Sequence, residues 1–188
     1  NPVIPYNESD DARDPKVFWH EQSESYVMAI YRVPDGDITK NGISIYTSKN
    51  LTEWNYQSHI PGFYESPDLM ELSINRRPDD KRWVIVGGDG TYQIGRFDGK
   101  SFEPQSEKLN SDFGRNFYAA QTWNNIPEED GRVIQIAWMR GGSFPGMPFV
   151  GQMNFPCELG LKKYKDELRL VRTPIKEIEL LHDKGEHY

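Results

Sequence analysis

The chain has 188 residues, enough for one domain with a substantial core, and carries a net charge of −7 with 36% hydrophobic and 13% aromatic residues. That acidic balance, without any basic run, excludes nucleic acid or an anionic membrane surface as the main partner, and no apolar stretch is long enough to insert into a bilayer. A single cysteine, Cys157, excludes an internal disulfide framework.

Asn1 has no methionine before it, which reads as a processed form or an excised piece, and residues 1–12, polar and proline-containing, read as a linker or loop. Arg13-Asp14-Pro15 then leads into an apolar strand at Val17-Phe18-Trp19. Residues 26–33 and 42–48 alternate as strands and are joined by the turn signal Pro34-Asp35-Gly36-Asp37. A short outer strand lies near Tyr56. The same order of parts returns after Tyr64-Glu65-Ser66-Pro67-Asp68, with strands over 69–72, 83–87 and 92–97, a turn at Asp98-Gly99-Lys100, and an edge strand near Phe102. A third round opens at Asp112, followed by strands over 117–123, 133–139, 158–161 and 168–172. Residues 174–181 fit a strand or a short helix equally well. Residues 183–188 read as a tail.

The interval from Asp14 to Glu65 is 51 positions and that from Glu65 to Asp112 is 47. Periods in the forties with about four strands each are the mark of propeller blades, so the expected fold class is all-β, a partial β-propeller over residues 13–182. In such a ring Asp14, Glu65 and Asp112 start innermost strands and face one axis. Carboxylates converging on an aromatic-lined hollow suit glycoside hydrolysis, in which one group donates a proton and another meets developing positive charge. Crowding is expected to raise the pKa of one of them. The competing readings are a structural ion pair for Asp14 with Arg13, a core position for Trp138, and turn positions for Asp112 and for Glu65 with Asp68.

Several further signals carry little. Gly87-Gly88-Asp89-Gly90 reads as a hairpin turn and not a phosphate loop, because a strand follows it. His20, His59, His182 and His187 lack metal-ligand spacing, so neither a metal nor any other cofactor is expected. Ser66 and Ser143 have no evident histidine partner. The sequons at Asn7 and Asn50 are short enough to arise by chance.

Arg13-Asp14-Pro15, Glu65-x-Pro67-Asp68-Leu69, Phe97-Asp98-Gly99-x-x-Phe102, Gly114-Arg115-x-Phe117-Tyr118-Ala119-Ala120-Gln121-Thr122-Trp123, Trp138-Met139 and Phe155-Pro156-x-Glu158-Leu159 together resemble glycoside hydrolase family 32. The motifs stand in that family's order, and the longest is nearer its levanase and inulinase branch than its plant invertases. The resemblance implies a five-bladed β-propeller, of which this chain covers roughly blades two to five with the first blade missing. It implies a retaining enzyme of the β-fructofuranosidase type that acts on fructans, levan or inulin, or on sucrose through a covalent fructosyl intermediate. Glu65 would be its general acid/base, Asp14 the transition-state stabiliser that holds fructosyl hydroxyls, and Arg13 the residue orienting the acid and the sugar ring. Trp138 and Asp112 would be walls of the fructose subsite.

Two departures qualify the match. Ser66 stands where the family usually has cysteine, and a serine can still donate to a carboxylate. The family's Asn-Asp-Pro nucleophile motif does not occur in this chain, so the isolated chain is expected to be inactive. An incomplete ring is expected to cover its exposed faces by self-association, to cover them with a rearranged terminus, or to be marginally soluble. The alternatives are a non-catalytic fructan-binding module, a fructosyltransferase of the same fold, or a five-bladed glycosidase acting on arabinan or xylan. The family resemblance implies an extracellular or periplasmic location.

Overall fold

The structure, a computed structural model, describes residues 3–4 and 10–182. The tail read at residues 183–188 and most of the linker read at residues 1–12 lie outside them, and the first strand already begins at Asp11. Strands β1 (Asp11–His20), β2 (Ser25–Val33), β3 (Gly42–Ser48) and β4 (Asn55–Pro61) pair antiparallel in order as one meander. A second meander runs through β5 (Asp68–Ile74), β6 (Arg77–Val86), β7 (Thr91–Phe97) and β8 (Phe102–Pro104), with the two-residue β9 (Leu109–Asn110) also pairing β7. The third comprises β10 (Phe117–Thr122), β11 (Val133–Met139), β12 (Cys157–Tyr164) and β13 (Glu167–Pro174). Three meanders of four strands thus stand where a span of blades two to five leads one to expect four. Residues 174–181, open between strand and helix, resolve as a 3-10 helix over Lys176–Leu181.

Alternation within the strands builds the interfaces between meanders, because side chains of period two present one face to each neighbour. Val27, Ala29, Ile43, Ile45, Ile60 and Phe63 from the first meander pack on Leu69, Ile85, Phe97 and Phe102 from the second. On the opposite face of the second meander, Met70, Leu72, Ile74, Val84, Val86, Tyr92 and Ile94 meet Leu159 and Leu161 of the third. A parallel pairing, Leu161 with Ile74, joins the second and third meanders into one nine-stranded sheet. Each fully buried aliphatic or aromatic side chain contributes about 1.5–3 kcal/mol, against about 0–1 kcal/mol for an exposed ion pair, so these two cores hold the blades in their stack.

Stacked in this way, the first strands of the meanders lie together, and a buried polar knot joins them. Lys16 Nζ on β1 donates to Thr122 O on β10 at 2.6 Å and lies 3.5 Å from Asp68 Oδ1 on β5, while the Thr122 backbone amide donates to Asp68 Oδ2 at 2.6 Å. Asp68 is fully buried. Burial pushes its carboxyl pKa up, and Lys16 and Thr122 oppose that push.

Candidate active site

At the head of each first strand the backbone leaves regular geometry. On β1 the pairing with β2 slips between Arg13 and Lys16, and Asp14 sits there with φ 58°. On β10 the pairing with β11 slips between Tyr118 and Gln121, and Ala119 has φ 48°. Ahead of β5, Glu65 and Ser66 have φ 23° and 43°. Such bulges and left-handed residues re-aim side chains and cost about 1–3 kcal/mol each, which the surrounding structure must hold in place. By this geometry Ala119 is the third meander's counterpart of Asp14. Asp112, to which the repeat reading assigns that place, lies before the strand begins.

The bulges bring two chain-distant side chains onto one carboxylate. Arg13 Nε and Nη2 donate to Glu65 Oε2 at 3.0 and 2.9 Å, and the Tyr118 hydroxyl donates to Glu65 Oε1. Asp14 lies beside them, its Oδ2 4.0 Å from Arg13 Nε and accepting from the Ser66 backbone amide at 3.0 Å and the Ser66 hydroxyl at 3.2 Å. The serine at the variant position therefore does donate to a neighbouring carboxylate. Arg13, Asp14 and Glu65 form one cluster.

Trp138, on β11 opposite Tyr118, stands edge-to-face with that ring at 6.3 Å between centroids and is 40% exposed, so it lies against the cluster's Tyr118 and is not a core residue. Asp112 is held elsewhere: its Oδ1 accepts from Gly114 N at 2.7 Å and its Oδ2 lies 3.5 Å from Arg172 on β13.

The turn that carries Glu65 is braced by groups the sequence reading does not single out. Gln121 Nε2 donates to Ser66 O and Pro67 O, each at 3.1 Å. Gly88 N donates to Tyr64 O at 2.8 Å and Glu65 O at 2.7 Å, and a Cβ at Gly88 would stand 3.1 Å from Glu65 O. The glycine-rich stretch is the hairpin turn expected from its sequence, and it also supports the acid turn. Tyr118 and Gln121 stand in the longest motif, where their spacing of three on a strand gives no sign that a bulge aims both at Glu65.

Burial acts on Glu65 to raise its pKa, yet the Tyr118 hydroxyl and the Arg13 guanidinium, with the charge of Arg140, outweigh it and hold the carboxyl below its ordinary value. The expectation that crowding raises one carboxyl is therefore not met at Glu65, because its near neighbours are donors. Tyr118 responds in the opposite sense, raised by burial and by Glu65. Arg140 lies over the Tyr118 ring, with Cζ 4.4 Å from its centroid. Among the described residues no cluster of His, Cys, Asp and Glu could hold a metal ion, and no helix is long and apolar enough to cross a membrane.

Comparisons with known proteins show the family. The sequence profile of the glycosyl hydrolases family 32 N-terminal domain matches residues 1–174. A levanase of Bacillus subtilis (strain 168) is 38% identical over 205 aligned positions, covering 96% of this chain and 29% of that protein. An extracellular exo-inulinase of Aspergillus awamori is 32% identical, covering 93% of this chain and 37% of its own length. In structure, the chain superposes on the Aspergillus awamori exo-inulinase with a TM-score of 0.77 at 28% identity, covering 93% of this chain and 39% of that one. A fructofuranosidase from Schwanniomyces occidentalis complexed with fructose gives a TM-score of 0.76 at 28% identity, with 93% and 37% covered. The chain thus spans between 29% and 39% of the length of these relatives.

Proposed function

Because this chain belongs to glycosyl hydrolase family 32, we propose that it is part of a retaining β-fructofuranosidase-type enzyme acting on levan, inulin or sucrose. The observation that carries this reading is the convergence of Arg13, Asp14, Glu65 and Tyr118 from three different blades on one partly open site. In this reading Glu65 gives its proton to the glycosidic oxygen as the bond from that oxygen to the anomeric carbon breaks. A carboxylate outside these 188 residues takes up the carbon. Water then attacks the same carbon, Glu65 accepts the proton, and the carboxylate is released.

Arg13 orients Glu65, Asp14 holds the fructosyl hydroxyls, and Trp138 forms one wall of the ring's subsite. Asp112, held by Gly114 and Arg172 in the loop before β10, is proposed as a second wall outside the cluster itself. A carboxyl held below its usual pKa is a poor acid, so the nucleophile's negative charge has to stand near enough to Glu65 to raise it. An intact acid position is of no use to a purely fructan-binding module, which favours the enzyme. The relatives named extracellular support an extracellular site of action.

The test is product analysis with the protein that carries this segment. Release of fructose from levan, inulin or sucrose is expected. Transfer of fructosyl units to a sugar with little free fructose would make it a transferase. Tight binding without turnover would make it a binding module, and release of a pentose from arabinan or xylan would reject the reading. The 188-residue chain alone is expected to hydrolyse none of them.

A further inference from the structure

The guanidinium that grips Glu65 is itself held by an aromatic ring that the scheme above does not use. Tyr31 on β2 is the residue directly opposite Arg13 on β1. It is fully buried, and Arg13 Cζ lies 4.5 Å from its ring centroid. Tyr64, next to Glu65 in sequence, stands edge-to-face with Tyr31 at 5.5 Å and has the same guanidinium 5.9 Å from its centroid. Arg13 therefore has its guanidinium over the Tyr31 ring while its nitrogens carry the bonds to Glu65 and Asp11. A cation held over a π-face is restrained in its position on the side its hydrogen-bonding nitrogens leave open.

The hydroxyl of Tyr31 adds a second observation. It is buried and, among the described residues, makes no hydrogen bond of ordinary geometry. The Asn41 side chain is near it, but its amide donates to Phe63 O at 3.3 Å. A buried hydroxyl without a partner costs free energy, so the ring and not the oxygen is what this position uses.

We propose that Tyr31 is a positioning residue: its ring face fixes the position of the Arg13 guanidinium and thereby the place of the Glu65 carboxylate. This deepens the reading of Glu65 as the acid/base. Its test does not depend on hydrolysis, so the two can fail separately. Around Glu65 the charged and titratable groups are Arg13 and Asp14 from β1, Tyr118 from β10 and Arg140 beyond β11, with Asp11 on the far side of Arg13. Of these, Arg13 is the one that Tyr31 can release.

The experiment is a carbon-detected NMR titration of the Glu65 carboxyl in the full chain, comparing the unaltered protein with Tyr31→Phe and Tyr31→Leu. Tyr31→Phe is expected to leave the Glu65 midpoint in place and to match or exceed the parent in stability. Tyr31→Leu is expected to move the midpoint upward, because Arg13 no longer has a face to lie on. A Tyr31 that only fills space would lose stability on Tyr31→Leu with the midpoint unmoved, and that result overturns the proposal. Should Tyr31→Leu fail to fold, the Arg13 side-chain protons of the unaltered chain decide. An upfield ring-current shift upholds the stacking, and shifts of an unstacked arginine reject it.

Discussion

Glu65 is charged in this chain because donors from two other blades reach it, Arg13 from β1 and Tyr118 from β10. Its folded pKa is depressed, so its contribution to stability is present above the unfolded value of about 4.3 and is lost as pH falls through the folded value. Thermal unfolding followed from neutral pH downward should therefore show an acid limb that flattens in Glu65→Gln. An identical limb in both proteins would mean that Glu65 is not held as described. The residue types at this site are legible in the sequence, since Arg13, Asp14 and Glu65 stand in recognisable motifs. Tyr118 is legible only as part of a motif, because its aim depends on a bulge. Asp112 shows the limit of spacing as a guide: a repeat near fifty residues is too loose to tell the strand's own bulge from the loop before it.

At the scale of the strand, nearly every element is readable from alternation and turn residues, and the boundary errors fall at the ends. What alternation does not carry is how closely the backbones approach. Gly95 on β7 faces β8 so tightly that an added Cβ would lie 2.3 Å from Glu103 O and 2.7 Å from the Phe102 ring. Gly95→Ala is expected to cost about 1–3 kcal/mol by forcing the β7–β8 pair apart. Urea unfolding measures this, and a change within a few tenths of a kcal/mol would show the strands able to shift without loss. The knot around Asp68 was equally hidden. Beside Pro67 an aspartate reads as a turn residue, whereas here it is the fully buried acceptor for Lys16 and the Thr122 backbone.

Across the whole molecule that knot ties together the first strands of all three blades. Removing one partner of a buried ion pair strands the other, so Asp68→Ala is expected to lower stability by about 3–5 kcal/mol. Coupling with Lys16→Met in a double-mutant cycle should exceed that of any surface pair, and independent effects would argue against the knot. The first and third blades also keep one face each without a neighbouring blade among the described residues, and Phe149, Met153 and Phe155 of the third are substantially exposed. Sedimentation of the chain over a range of concentrations is expected to show association. A monodisperse monomer at all concentrations would mean that these faces need no cover.

If three blades bring their side chains to Glu65 so that it can serve as the acid, Glu65→Gln in the protein that carries this segment removes that group. With folding verified and sucrose, levan and inulin as substrates, kcat is expected to fall by roughly 10²–10⁴-fold, as loss of a positioned proton donor does. A variant that keeps kcat within a few-fold of the parent on every one of these sugars would contradict the account.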